Sequence, residues 1–151
     1  MESELKFNSQ ICTTKIQSQR LLDLGLKPET ADCMYSVMTK SYNGHYILEE
    51  DRQYNLILFR QEDVQSVGFS HYEHIPAWSL HRLKCLLPTK IPYESGYLTI
   101  EIINNINLMF VTDTSEQRVI SFIHENLYES MIKCIKWLIK EDYFNKEYLN
   151  Q

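Results

Sequence analysis

Tyr97-Leu98-Thr99-Ile100-Glu101-Ile102-Ile103-Asn104-Asn105-Ile106-Asn107-Leu108-Met109-Phe110-Val111-Thr112 is the stretch on which the fold turns. Residues 97–103 and 106–112 read as two strands, and in a strand alternate side chains fall on the same face. Asn104-Asn105 lies between them, and Asn tolerates the left-handed backbone that a two-residue turn demands. That turn sets a register: Ile103 faces Ile106, Ile100 faces Met109, and Leu98 faces Val111. Leu98, Ile100, Ile102, Met109 and Val111 then share one face, with Thr99, Glu101 and Thr112 on the other. The polar turn Asp113-Thr114-Ser115-Glu116 leads to a further strand at 118–124, so this part of the chain is an antiparallel meander.

Working outward, a second hairpin is expected at 35–42 and 45–48 around Asn43-Gly44, where both central residues need positive φ. Residues 53–59 read as a strand. Residues 61–75, with Gly68 and mixed polar and aromatic side chains, read as a long loop, and 90–96 as a connector. Three helices surround these strands. Thr14-Lys15-Ile16-Gln17 has the capping-box pattern, with Ile16, Leu21, Leu22 and Leu24 as its apolar stripe and Gly25 as its stop. A short turn begins at Pro28. Ser79 caps a short helix bearing Leu80, Leu83, Leu86 and Leu87, ended by Pro88. Asn126 caps a helix over 127–141 whose stripe is Leu127, Met131, Cys134, Ile135 and Leu138.

Helix, strands, helix, strands, helix, joined by hairpins and without an internal linker, is the pattern of a single α+β domain. Its sheet should be mainly antiparallel with helices packed on one face. Residues 1–12 read as a frayed N-terminus. Residues 142–151, with Tyr143, Phe144, Tyr148 and Leu149, are too aromatic for a plain solvated tail and are expected to dock on the body or a partner.

The chain has 151 residues, a length that buries about 68–70% of its unfolded surface and needs no disulfide or metal to hold a core. Its net charge is −5, and it has no Lys/Arg cluster, so a broad nucleic-acid interface is disfavoured. No apolar run approaches the ~20 residues that span a bilayer, and residues 1–6 lack the basic start of a signal peptide. The four cysteines, Cys12, Cys33, Cys85 and Cys134, are far apart and form no Cys-x-x-Cys pairing. They read as free thiols, with Cys85 and Cys134 in the core. The expectation is a cytoplasmic protein.

Three segments resemble a set of uncharacterised small proteins of gut Bacteroidales and their phages and mobile elements. They are Thr13-Thr14-Lys15-Ile16-Gln17-Ser18-Gln19-Arg20-Leu21-Leu22-Asp23-Leu24-Gly25-Leu26-Lys27-Pro28-Glu29-Thr30-Ala31-Asp32, then Ile75-Pro76-Ala77-Trp78-Ser79-Leu80, then Ile135-Lys136-Trp137-Leu138. The resemblance implies a bacterial cytoplasmic setting and a mobile-element origin. It brings no activity, cofactor or catalytic residue.

Ser70-His71-Tyr72-Glu73-His74 beside Trp78 is the local cluster with most chemistry. Two imidazoles three apart could ligate a metal, but no third ligand motif accompanies them. A polar loop with a half-buried aromatic explains the same residues. No phosphate loop, dinucleotide fingerprint, Gly-x-Ser-x-Gly or His-Glu-x-x-His is present, so the reading leans away from an enzyme, and no cofactor or metal is assigned. Tyr72, Tyr93, Tyr97 and Trp78 sit in or beside connectors, where binding residues are displayed on a scaffold. The candidate binding surface is therefore His71, Tyr72, His74, Trp78, Tyr93 and Tyr97, although Trp78 reads first as a core plug under the Ser79 helix. The leading expectation is a non-catalytic interaction protein that binds another protein or itself. A small enzyme or ligand binder using residues 70–78 comes second, and a nucleic-acid-associated factor third.

Overall fold

In the computed structural model, residues 10–58, 72–106 and 108–151 are described. Thr14 opens α1 (Lys15–Asp23) through a complete capping box: its Oγ1 accepts from the Gln17 amide, and its own amide donates to Gln17 Oε1. Gly25, at φ +97°, ends the helix in the left-handed region. Inside α1, Leu21 is buried with Gln17 and Ser18, whereas Ile16 is 75% exposed. The buried polar pair is satisfied: Gln17 Nε2 donates to Glu129, and the Ser18 hydroxyl hydrogen-bonds that of Thr13. Ile16 is thus not part of the stripe that the sequence suggested.

The strands divide into two antiparallel sheets. The first comprises β1 (Cys33–Met38), β2 (Tyr54–Leu58) and β3 (Tyr72–Ala77), in the order β2-β1-β3. The chain turns at Asn43-Gly44, but not as the expected two-residue hairpin. The Gly44 amide donates to the Ser41 carbonyl, Gly44 and not Asn43 has positive φ (+81°), and 45–48 contributes a bridge between Lys40 and Tyr46 rather than a strand. This turn does not supply the main partner of β1, which pairs instead with β2 and β3 along its length. Residues 72–75, expected in a loop, begin β3, while 61–71 of that expectation lie outside the described residues. Pro76 sits in this strand because β3 is an edge, where a missing N–H need not break a ladder.

The second sheet runs β4-β5-β6-β7, from β4 (Ile91–Tyr93) through β5 (Gly96–Ile103) and β6 (Leu108–Thr112) to β7 (Arg118–Ile123). β4 occupies part of the expected connector. In the β5–β6 hairpin Ile103 pairs with Leu108, Ile102 with Met109 and Ile100 with Val111. This is two residues away from the expected register, because the chain turns through the 3-10 segment Asn104–Ile106 rather than a two-residue turn. A shift of two preserves the facing of every side chain. Leu98, Met109 and Val111 are accordingly buried.

Ser79 caps α2 (Leu80–Leu86), accepting from the Arg82 amide, and Asn126 caps α3 (Leu127–Lys140) by accepting from the Tyr128 amide. Met131, Ile132, Cys134, Ile135 and Leu138 of α3 are buried in a core shared with Leu21, Leu83 and the inner face of the second sheet. Burial pushes the Cys134 thiol up to about 12, so it stays protonated.

Residues 10–12 and the C-terminal segment are tied to this body. Gln10 donates to Gln17 and accepts from Asn126, and the Tyr128 hydroxyl donates to the Ile11 carbonyl. Residues 1–9 lie outside the described residues. At the other end, Leu149 bridges Leu26, the Asn150 amide donates to the Gly25 carbonyl, and Phe144 is buried. A disulfide joins Cys12 to Cys33, so the expectation of four free thiols does not hold. Cys85 and Cys134 are free, and Cys85 is exposed rather than in the core.

Candidate interaction surface

Trp78 follows β3 and is fully buried. Its indole Nε1 donates to Thr30 Oγ1 at 3.0 Å, its amide donates to Thr13 Oγ1, and its carbonyl accepts from the Thr13 amide. Every polar atom it presents is spent on the protein, so Trp78 belongs to the core and leaves the candidate surface. His71 lies outside the described residues. Tyr72 and His74 project from one face of β3, while Tyr93 and Tyr97 lie on β4 and β5 of the other sheet. Tyr93 packs against the core, and Tyr97 stays exposed beneath the ammonium of Lys90, 4.6 Å from its ring centre. The sequence candidates therefore do not form one site.

Around Tyr72 and His74 the register places Asn55, Ser36 and His74 side by side across β2, β1 and β3. Both ring nitrogens of His74 are buried and have no hydrogen-bond partner among the described residues. An open cleft of about 260 Å³ adjoins this row, lined by Met38, Ile47, Asp51, Arg52, Asn55 and Tyr72. Desolvation and the neighbouring Tyr42 hydroxyl raise the Tyr72 pKa, and Glu94 together with desolvation raises that of Tyr93, so both are neutral phenols that can donate. A second cleft, about 350 Å³, lies under the C-terminal segment between Ile139, Phe144 and Leu149, with Asp142 and Lys146 at its edge. These last two already form an ion pair. Among the described residues no group of three or more His, Cys, Asp or Glu could hold a metal ion, and no helix is long and apolar enough to cross a membrane.

An ordered apolar display lies elsewhere. On the outer face of the second sheet, Ile103 pairs with Leu108 and Leu108 with Ile123, forming a row across β5, β6 and β7. Ile103 is 37% and Ile123 63% exposed, Val119 is exposed farther along β7, and Ile106 is exposed in the β5–β6 turn. Phe110 flanks the row under the Arg118 guanidinium, 4.3 Å from its ring centre. A signal for this face was present in the sequence. Ile102-Ile103, Leu108-Met109 and Phe122-Ile123 are apolar doublets, and a doublet in a strand sets one apolar side chain on each face. β7 is also the sheet's terminal strand, with neither Pro nor Lys to blunt its edge.

No protein family, curated protein or solved structure matches the chain.

Proposed function

We propose that the chain is a non-catalytic interaction protein whose contact surface is the β7 edge and the outer face of its sheet, and that the partner is a second copy. The row Ile103–Leu108–Ile123 carries this reading, being a contiguous apolar strip ending at the terminal strand of the described sheet. The edge is self-complementary. When two β7 strands pair antiparallel about Ser121, Val119 of each lies opposite Ile123 of the other, and Ile120 opposite Phe122. Shifting the dyad to Ile120 would set Arg118 against Phe122, and shifting it to Phe122 would set Ile120 against His124. Only the Ser121 register pairs apolar with apolar on both faces. A bacterial, mobile-element accessory role fits the three-segment resemblance. A cytoplasmic setting belongs to the same reading, although the Cys12–Cys33 bond is more at home in an oxidising compartment.

Light scattering on the purified chain over a wide concentration range tests the proposal. The wild type should dimerise. Ser121→Lys, which opposes two ammonium groups at the dyad, should be monomeric with an unchanged unfolding midpoint. A wild type that stays monomeric throughout would sink it.

His74 supports a second reading, a small-ligand site on the Asn55–Ser36–His74 row, because a buried imidazole with neither nitrogen partnered among the described residues calls for an explanation. Imidazole resonances of His74 that stay unmoved across a library of small polar ligands would count against it.

A further inference from the structure

The α2 helix carries a group that the interaction surface does not use. His81 and Cys85 are one turn apart and both exposed, while Leu83 and Leu86 on the opposite side of the helix are buried. His81 Nε2 and Cys85 Sγ are 3.6 Å apart. We propose that this pair is a binding site for a borderline-soft divalent cation of the zinc class, with the thiolate and the imidazole as its two protein ligands.

The separation carries the argument. With metal–sulfur and metal–nitrogen bonds of about 2.3 and 2.0 Å meeting at the tetrahedral angle, ligand atoms lie roughly 3.5 Å apart. The two side chains already stand at that distance, so the ion enters without rearranging the helix. On binding, Cys85 gives its proton to solvent, its sulfur and His81 Nε2 each donate a lone pair, and water fills the remaining positions. A thiolate with an imidazole suits zinc and its neighbours better than magnesium or calcium, which prefer oxygen. No other described cysteine competes, since Cys12 and Cys33 are bonded to each other and Cys134 is buried.

Cobalt(II) is the probe, because a cobalt–thiolate bond gives a charge-transfer absorption that imidazole or carboxylate ligation does not. Titrating the full chain should produce that band, and zinc should displace it while magnesium does not. Cys85→Ser should abolish the band. His81→Ala should weaken cobalt binding by at least about tenfold, the scale seen when a supporting partner of a metal ligand is lost. Both side chains are exposed, and unchanged unfolding midpoints would confirm that the variants fold. The proposal is overturned by a wild type without the band, by a band that survives Cys85→Ser, or by His81→Ala binding cobalt as tightly as the wild type.

Discussion

Leu98, Met109 and Val111 of the four-stranded sheet lie in one continuous core with Met131, Ile135 and Leu138 of α3. Among the described residues the three-stranded sheet has no comparable cluster, although Val37 and Met34 of β1 are buried. Its buried apolar cluster is Cys12, Cys33 and Ala77 with Tyr35 packed against it, and Leu56 and Ile57 of β2 are exposed. Among the described residues, what ties it to the rest of the body is a set of discrete bonds. Cys12 is bonded to Cys33, Thr13 pairs with Trp78, the Tyr35 hydroxyl donates to the Thr13 carbonyl, and Asp32 accepts from both the amide and hydroxyl of Ser79. One region is stabilised by area and the other by a few specific bonds. Area is lost gradually, whereas a bond is lost at once.

The sharpest way to break the first region is a cavity in α3. Leu138→Ala should cost about 2–5 kcal/mol and lower the urea midpoint of the whole chain in one transition. For the second region, the 21-residue separation of Cys12 and Cys33 gives a loop whose closure contributes about 3 kcal/mol. Cys12→Ser with Cys33→Ser should lose that amount, and hydrogen exchange should rise in β1 and β3 first. If exchange rises equally in β5 and β6, the two regions are not separable. Asp32→Ala leaves the Ser79 amide and hydroxyl without their acceptor and should cost about 2 kcal/mol, again felt first at the β3–α2 junction.

A smaller, pH-dependent effect tests the seam between α1 and α3. Burial pushes the Glu129 carboxyl up, but hydrogen bonds from Arg20 and Gln17 outweigh it and leave the group below its ordinary range. The unfolded chain therefore takes up this proton more readily than the folded one. The associated stability is present above the ordinary carboxylate range and fades as the pH falls through it. Glu129→Gln should flatten this part of the acid limb in urea titrations, and an unchanged limb would show that the seam adds nothing.

The helix caps, the α3 stripe and the two faces of the β5–β6 hairpin were legible because each rests on local chemistry or on a period. The hairpin register was not, since Asn104-Asn105 fits a two-residue turn as well as the longer one that forms. β3 was hidden by Pro76 and by its mixed composition, and only its edge position, a property of the sheet, makes it a strand. Ile16 was misread because Gln17 and Ser18 find partners inside, which periodicity cannot foresee. Cys85 was misplaced for a simpler reason. At 100° per residue, Leu83, Leu86 and Leu87 cluster on one side of α2 while His81 and Cys85 fall opposite. For the interaction surface, the aromatic candidates drew attention to connectors, while the exposed strip is aliphatic and announced itself only in doublets.

The two tryptophans both belong to the main core but sit in different surroundings. Trp78 is sealed at the junction of β3 and α2 with its indole hydrogen-bonded to Thr30. Trp137 is partly exposed on α3, between the rings of Phe122 and Tyr143. Their emission should differ in colour and in access to a collisional quencher, Trp78 blue and shielded, Trp137 redder and quenchable. The native chain thus carries its own pair of optical reporters on one core, one sealed and one at its surface, and the blue component should fade only when that core opens.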